Sequence, residues 1–225
     1  MSKRIEDQIN SFKYKGEPIR VTLGTLAMTG LSVLLIIIAT FTQITVRHPY
    51  IPSDIFTLLS QDLPEFELLK HFIKSYEYIP QIPVIFFIVA LMGRKFGMLA
   101  IIGYIILGMF FPIFALGGGV SYLFEYGFGY ILAYLPAVFF AGTLLKGKTD
   151  YIRIPVISLF GVVTIHVLGI LYLLFISTLR HAPIELITSW ISSQSGVQML
   201  YDIFFTIIAI ILGKQVRKLF WIVMC

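Results

Sequence analysis

From Val21 to Val46 the chain runs for about 25 residues without a charged side chain. Similar runs recur at Ile82–Gly93, Phe96–Ala115, Val120–Leu145, Ile154–Leu179 and Val197–Gly213, each with at most one charge. In the hydrocarbon of a bilayer no water is present to pair with a peptide group, so an apolar run of this kind forms a helix that satisfies itself. A span of the roughly 30 Å core takes about 20 residues. Charged residues make up 13% of the chain, against about 25% in a soluble domain, and the mean hydropathy is +0.90. These features predict an all-α membrane protein, a bundle of six transmembrane helices in one domain covering 1–225. Residues 1–20 form a basic N-terminal segment. The first run has no small-x-small cleavage site before Arg47, so it reads as an uncleaved helix rather than a signal peptide.

Two stretches depart from regular spans. Ile82–Gly93 is about 18 Å long as a helix, too short for the core, and Pro80 and Pro83 block regular helix at its start. Irregular backbone at that depth is tolerated only in protein or beside a wet cavity. The long segment 47–81 carries Pro49, Pro52, Pro64 and Pro80 and reads as an outer loop and lid. Within it, Phe66 to Tyr78 has near-helical apolar spacing that suits the membrane surface.

Basic residues set the orientation. With the N-terminus in the cytoplasm and six spans threaded, all of the 17 lysines and arginines except Arg47, Lys70, Lys74 and Arg180 fall on inner segments, as the positive-inside rule requires. Both termini are then cytoplasmic. The net charge of +5 lies between apolar runs and is no nucleic-acid footprint. The glycines 117 to 119, the 47–81 loop and the irregular helix end share the outer face, where a cavity is expected. Cys225 is given no role.

Asp202 is the sharpest chemical signal. It lies about one turn into the last run, where a carboxyl costs up to about 2.5–3.5 kcal/mol on insertion scales, and such residues mark functional sites by default. Gln194, Gln198 and Asp202 recur at four-residue spacing, on one helical face. Tyr122, Tyr126, Tyr130 and Tyr134 recur in the same way. An aromatic belt accounts for the first two but not for the deeper pair, beside which Gly127 and Gly129 leave room. Glu125 reads as a solvated rim residue. His166 has no second histidine or carboxylate at metal-ligand spacing, so a structural imidazole is favoured over a metal ligand. No phosphate loop, serine elbow or zinc motif is present, so neither ATP hydrolysis nor other catalysis by this chain is indicated, and no cofactor is expected.

The segment Pro83 to Gly142 resembles the BioY family, the biotin-specific substrate-binding (S) components of energy-coupling factor (ECF) transporters. The shared pattern is Gly93-x-x-x-Gly97, Tyr104-x-x-x-Gly108, Phe111-Pro112-Ile113-Phe114, glycines 117 to 119, Gly129-Tyr130, Leu135-Pro136-Ala137 and Gly142. A weaker match covers Gly161 to Leu173, and Asp202 stands where the family has an aspartate. Ile85, Phe87 and Phe205 stand where the family usually has Thr, Gln and Lys. The resemblance implies a six-helix protein in a bacterial cell (inner) membrane, with an outward-facing pocket for biotin or a related small vitamin. It also implies an ECF coupling protein and two ATP-binding cassette ATPases as partners. The expected substrate-binding set is Asp202, Tyr130, Tyr134, Tyr122 and Gln198, with Gly118, Gly119 and Tyr104 of the shared pattern. Lys70, Lys74 or Arg180 at the rim would meet a ligand carboxylate. The alternatives are an S component for another vitamin, an intramembrane enzyme using Asp202 and His166, and a non-transporting scaffold.

The charge distribution makes a direct prediction. In a Cys225→Ser background, single cysteines at Gly118 and Ser192 should react with an impermeant reagent added outside, and one at Lys148 should not. The reverse labelling pattern would overturn the orientation.

Overall fold

The computed structural model describes residues 22–49, 51–52, 55–56, 64, 70, 72–146 and 151–224. The N-terminal segment 1–20, Lys148 and Cys225 lie outside the described residues. Helix α1, Leu23–Phe41, starts at Thr22, whose hydroxyl accepts from the Thr25 N–H while Thr25 returns the bond to the Thr22 N–H. Along α1 the hydroxyls of Thr29, Ser32 and Thr40 bond back to the carbonyls four residues earlier. Their polarity is thereby satisfied within the helix. At Thr42 the backbone turns extended and the helix ends, before the expected Val46.

Segment 47–81 holds structure that its sequence conceals. Strand β1, Ile44–Pro49, pairs antiparallel with β2, Ile73–Tyr78, with Ile44 opposite Tyr78 and Val46 opposite Tyr76. Residues 73–78 are therefore a strand and not the surface helix that the spacing suggests, while 65–69 lie outside the described residues. Cross-strand pairing overrides the local period here.

The helical stretch Gln81–Phe110 is two helices, α2 (81–92) and α3 (94–110), joined at Gly93. Gly93 has φ 81° and ψ 175°, which an L side chain rarely adopts. The Gln81 amide reaches the Tyr104 hydroxyl at 2.9 Å. In one continuous helix those residues would be about 34 Å apart, so the two halves fold back on each other. Residues 111–119 form an irregular loop closed by an isolated bridge between Phe114 and Gly117, and a 3-10 turn follows at Val120–Phe124.

Helix α4 is Phe128–Leu144, beginning eight positions after the expected Val120. The tyrosine stripe is accordingly broken. Tyr122 is on the 3-10 turn and Tyr126 in a turn, and only Tyr130 and Tyr134 share α4. Positive φ angles at Gly117 and Gly119 permit the loop that displaces the first two. Helix α5, Ile154–Leu179, follows a short 3-10 turn at Tyr151–Arg153. The expected loop Arg180–Gly196 contains helix α6, Ile184–Ser195, which has no buried residue. Helix α7 runs Val197–Met224, past the expected Gly213.

By length and composition, Leu23–Phe41, Gln81–Phe110, Tyr151–Leu179 and Ile184–Leu219 are apolar enough to cross a membrane, and Phe128–Leu144 is a shorter apolar helix. The α2–α3 unit packs on α7, α4 and α1, and α5 lies between α4 and α7. Leu26, Leu34, Phe140, Phe160 and Phe175 face outward, whereas Asp202, His166, Ser158 and Thr206 are buried. Apolar outside and polar inside is the arrangement that lipid favours.

Two glycines carry predictions. A Cβ at Gly118 would lie 2.1 Å from the Phe111 carbonyl oxygen, so Leu116, 66% exposed on the same loop, replaces it as the outer labelling position. Gly93→Ala should lower stability by about 1–2 kcal/mol, because alanine resists the positive φ. Gly30→Ala, whose Cβ meets nothing within 4 Å, should cause no loss. Thermal unfolding in detergent compares them, and equal midpoints would contradict the strained turn.

Candidate functional site

Asp202 sits at the convergence of α5, α7 and the hairpin and is 0% exposed. Its place follows from two periodicities. Tyr76 and Tyr78 are two apart on β2, so they share a face about 6.7 Å apart. Gln198 and Asp202 are four apart on α7, about 6 Å along its axis. The pairs therefore register: the Tyr76 hydroxyl donates to Gln198 Oε1 at 2.8 Å, and the Tyr78 hydroxyl donates to Asp202 Oδ1 at 2.9 Å. Gln198 Nε2 donates to the Ile79 carbonyl at 3.2 Å and more distantly to Asp202 Oδ1 at 3.4 Å. Burial, and then the neighbouring Asp202 carboxylate, push the Tyr78 hydroxyl far above its ordinary pKa, so it remains a donor.

A second line reaches Asp202 from α4. The Tyr130 and Ser195 hydroxyls are 2.8 Å apart, and Ser195 Oγ is 2.9 Å from His166 Nδ1. His166 Nε2 lies 3.3 Å from Asp202 Oδ2. That last approach lacks hydrogen-bond alignment, and both atoms are without an aligned partner. The close packing of α4 on α5 sets the line, since a Cβ on Gly169 would fall 2.5 Å from the Tyr130 ring.

Gln81 organises a separate group. Its Oε1 accepts from the Tyr134 hydroxyl at 2.8 Å, and its Nε2 donates to Thr40 Oγ1 at 2.8 Å and to Tyr104 at 2.9 Å. The structure thus brings Asp202, Gln198 and Tyr130 into one network and Tyr134 and Tyr104 into another. Tyr122 joins neither. It packs against Phe114, ring centroids 4.7 Å apart, beside Phe128. Gly118 and Gly119 shape the rim loop, with the Gly119 N–H tied to the Gly108 carbonyl at 2.9 Å. Phe205 stacks on Tyr78 at 5.0 Å. Arg180, named above as a candidate for a ligand tail, bonds Glu125 at 3.3 Å and covers the Tyr126 ring.

The Asp202 network also includes residues that the sequence did not single out, Tyr76, Tyr78 and Ser195, and the separate group adds Gln81 and Thr40. His166, read as a structural imidazole, touches the central carboxyl. The alternation of Tyr76 and Tyr78 around Glu77 was the available signal for the strand pair. A concavity of about 240 Å³ lies on the hairpin, lined by Arg47, Lys70, Ile73 and Ser75. Another of about 310 Å³ opens between α4 and α5 among Phe140, Phe160 and Gly161. Neither is lined by Asp202. Among the described residues, no three His, Cys, Asp or Glu side chains converge as a metal site would require.

No curated protein matches this sequence. Among solved structures, one described as the crystal structure at 2.1 Å of the S-component for biotin from an ECF-type ABC transporter is similar. Its TM-score is 0.60 at 22% identity, over 90% of this chain and 95% of that one. At that identity the likeness is one of fold. A model of the BioY family matches residues 78–221, well over half of the chain, a range that starts at the hairpin tyrosine Tyr78 and includes the fold-back at Gly93 and Asp202. The chain belongs to the BioY family.

Proposed function

We propose that this chain is the substrate-binding membrane subunit of a vitamin uptake transporter and that its ligand is biotin. Family membership supports the transport role, and the similar fold described as an S-component for biotin supports the ligand. The observation that carries the site is the fully buried Asp202 carboxyl, with Oδ1 engaged by Tyr78 and Oδ2 facing only the His166 ring at 3.3 Å, without hydrogen-bond alignment. A poorly satisfied carboxyl in an apolar interior is costly, and a ligand donor would relieve it. Biotin has a ureido ring with two N–H groups and a carbonyl, an apolar thiophane and a carboxylate tail. The ureido group suits Asp202, and the rings of Tyr78, Tyr201 and Phe205 supply apolar wall. Arg47 and Lys70 beside the hairpin concavity suit the tail. The hairpin tyrosines occupy the Asp202 face, so exchange of ligand requires β1–β2 to lift.

The same reading extends to six spans, with both termini cytoplasmic. The fold-back at Gly93, flanked by Arg94 and Lys95, supports an inner turn between α2 and α3. Uptake would draw its energy from an ECF coupling protein and two ATP-binding cassette ATPases in a bacterial inner membrane. A second reading, an intramembrane enzyme using Asp202 and His166, is favoured by the line Ser195–His166–Asp202. Chemical turnover of a bound ligand without ATPase partners would select it.

Calorimetry on the purified chain tests the proposal. Biotin should bind, and Asp202→Asn should weaken it about 10- to 150-fold, the range for losing a hydrogen bond to a charged group. In that variant Oδ1 can still accept from Tyr78, but an amide donor would face the ligand where Oδ2 stood. Tyr130→Phe, which loses one hydroxyl away from the carboxyl, should cost less. Unchanged affinity in a folded Asp202→Asn protein would make this carboxyl structural, and absence of biotin binding by the parent chain would remove biotin as the ligand.

A further inference from the structure

The groove of about 310 Å³ between α4 and α5 lies on the outside of the bundle. Small residues, Ala141 and Gly161, form its floor, and Phe140, Leu144 and Phe160, all exposed, form its walls. A Cβ on Gly161 would fall 2.3 Å from the Phe86 ring of α2, and that ring closes the floor towards the interior. Thr164 also lines the groove, but its hydroxyl already donates to the Phe160 carbonyl at 2.7 Å. The occupant that suits this lining is therefore apolar. Along α5 the groove extends from Ile157 to Thr164, about 10 Å, which is within one leaflet of the roughly 30 Å core. Its volume spread over that length gives a cross-section of about 30 Å², against about 80 Å² for a helix about 10 Å across. A single acyl chain fits where a helix cannot enter.

Charge marks one end of this groove. Lys146 follows the wall residue Leu144 by two positions, and Arg153 precedes Ile157 by about one turn, so both cations stand where α4 ends and α5 begins. Both are exposed. The connection 146–153 has a net positive charge, with Lys146, Lys148 and Arg153 against Asp150, and neither helix contains an acidic residue. The Gly93 turn lies at the same end, since Arg94 Nη1 donates to Thr143 Oγ1 at 3.0 Å and its guanidinium covers the Phe139 ring. Arg94 is thus committed to the neighbouring face of α4. An apolar groove that ends at two cations is complementary to a molecule with an acyl chain and an anionic head. We propose that the groove seats one acyl chain of an anionic phospholipid, with the lipid phosphate at Lys146 and Arg153. In the proposed orientation this is the cytoplasmic leaflet, where anionic lipids attract basic segments. The inference does not depend on which molecule the protein transports.

Quenching of tryptophan by lipids with brominated acyl chains tests it. In the full chain carrying Trp190→Phe and Trp221→Phe, the substitution Phe160→Trp puts a reporter in the groove wall. The vesicles are phosphatidylcholine with a minor share of brominated phosphatidylglycerol, or with the same share of brominated phosphatidylcholine. The anionic lipid should be preferred about 5-fold, the scale of one to two cations near a membrane surface, and less at high salt. Lys146→Gln together with Arg153→Gln should abolish the preference. Thr164→Phe fills the deep end, keeps both cations and should also reduce it. Trp190, kept in a Trp221→Phe chain, reports on α6 and should show no preference. Equal quenching by the two lipids, or a preference that survives loss of both cations, would overturn the proposal. A preference unchanged by Thr164→Phe would mean attraction of headgroups without a seated chain, and one equally large at Trp190 would belong to the whole surface. Either result also removes the groove as the site.

Discussion

Everything in this structure depends on the cost of leaving a polar group unpaired in an apolar medium. Lipid contributes no hydrogen bonds, so each buried hydroxyl, amide and carboxyl must find its partner inside the bundle. Thr29, Ser32 and Thr40 meet that demand locally by bonding back along α1. Gln81 meets it across three helices, joining Thr40 of α1, Tyr104 of α3 and Tyr134 of α4. Such a residue ties helices together where apolar packing against lipid-like neighbours has little to choose between arrangements. Asp202 meets it through Tyr78 at Oδ1 and the His166 ring 3.3 Å from Oδ2.

The β1–β2 hairpin sits over that carboxyl by a coincidence of two repeats. A strand advances about 3.4 Å per residue and a helix about 1.5 Å. Two residues of β2 therefore match four of α7, and both tyrosine hydroxyls find acceptors. Stacking of Tyr78 on Phe205 at 5.0 Å supports the same register. Strand and helix thus form one unit around Asp202, and the hairpin is the element whose departure would uncover it. On the other side, α6 reaches the same carboxyl through Ser195 and His166. The buried group is approached from two segments, the hairpin and α6, one extended and one helical.

How much of this could be read beforehand varies from residue to residue. Asp202 and Gln198 were evident because a carboxyl in an apolar run is costly wherever it faces and because a four-residue repeat implies a shared face. The helical stripe expected to include Tyr122 is broken for a specific reason. A repeat indicates a face only where the chain is helical, and Gly117 and Gly119 at positive φ allowed an irregular loop and 3-10 turn in its place. His166 had no histidine or carboxylate nearby in sequence. Its neighbour Asp202 is 36 positions away on another helix, and their proximity is a matter of packing alone. The amphipathic α6 was taken for a loop because its apolar residues cover no core.

The sequence by itself determined what every membrane segment must do on its own. Apolar runs of given length become helices, basic turns between them imply an orientation, and a carboxyl among apolar residues needs a reason. These depend on local composition and on the solvent, so they are written along the chain. The tertiary structure alone decided which polar side chains meet. The fold-back at Gly93 brings Gln81 to Tyr104, strand pairing presents Tyr76 and Tyr78 to α7, and the packing of α4 and α6 on α5 delivers Tyr130 and Ser195 to the His166 side. Each meeting joins residues far apart in the chain. It depends on which helix faces which, and local sequence does not encode that because the apolar faces it offers are chemically alike.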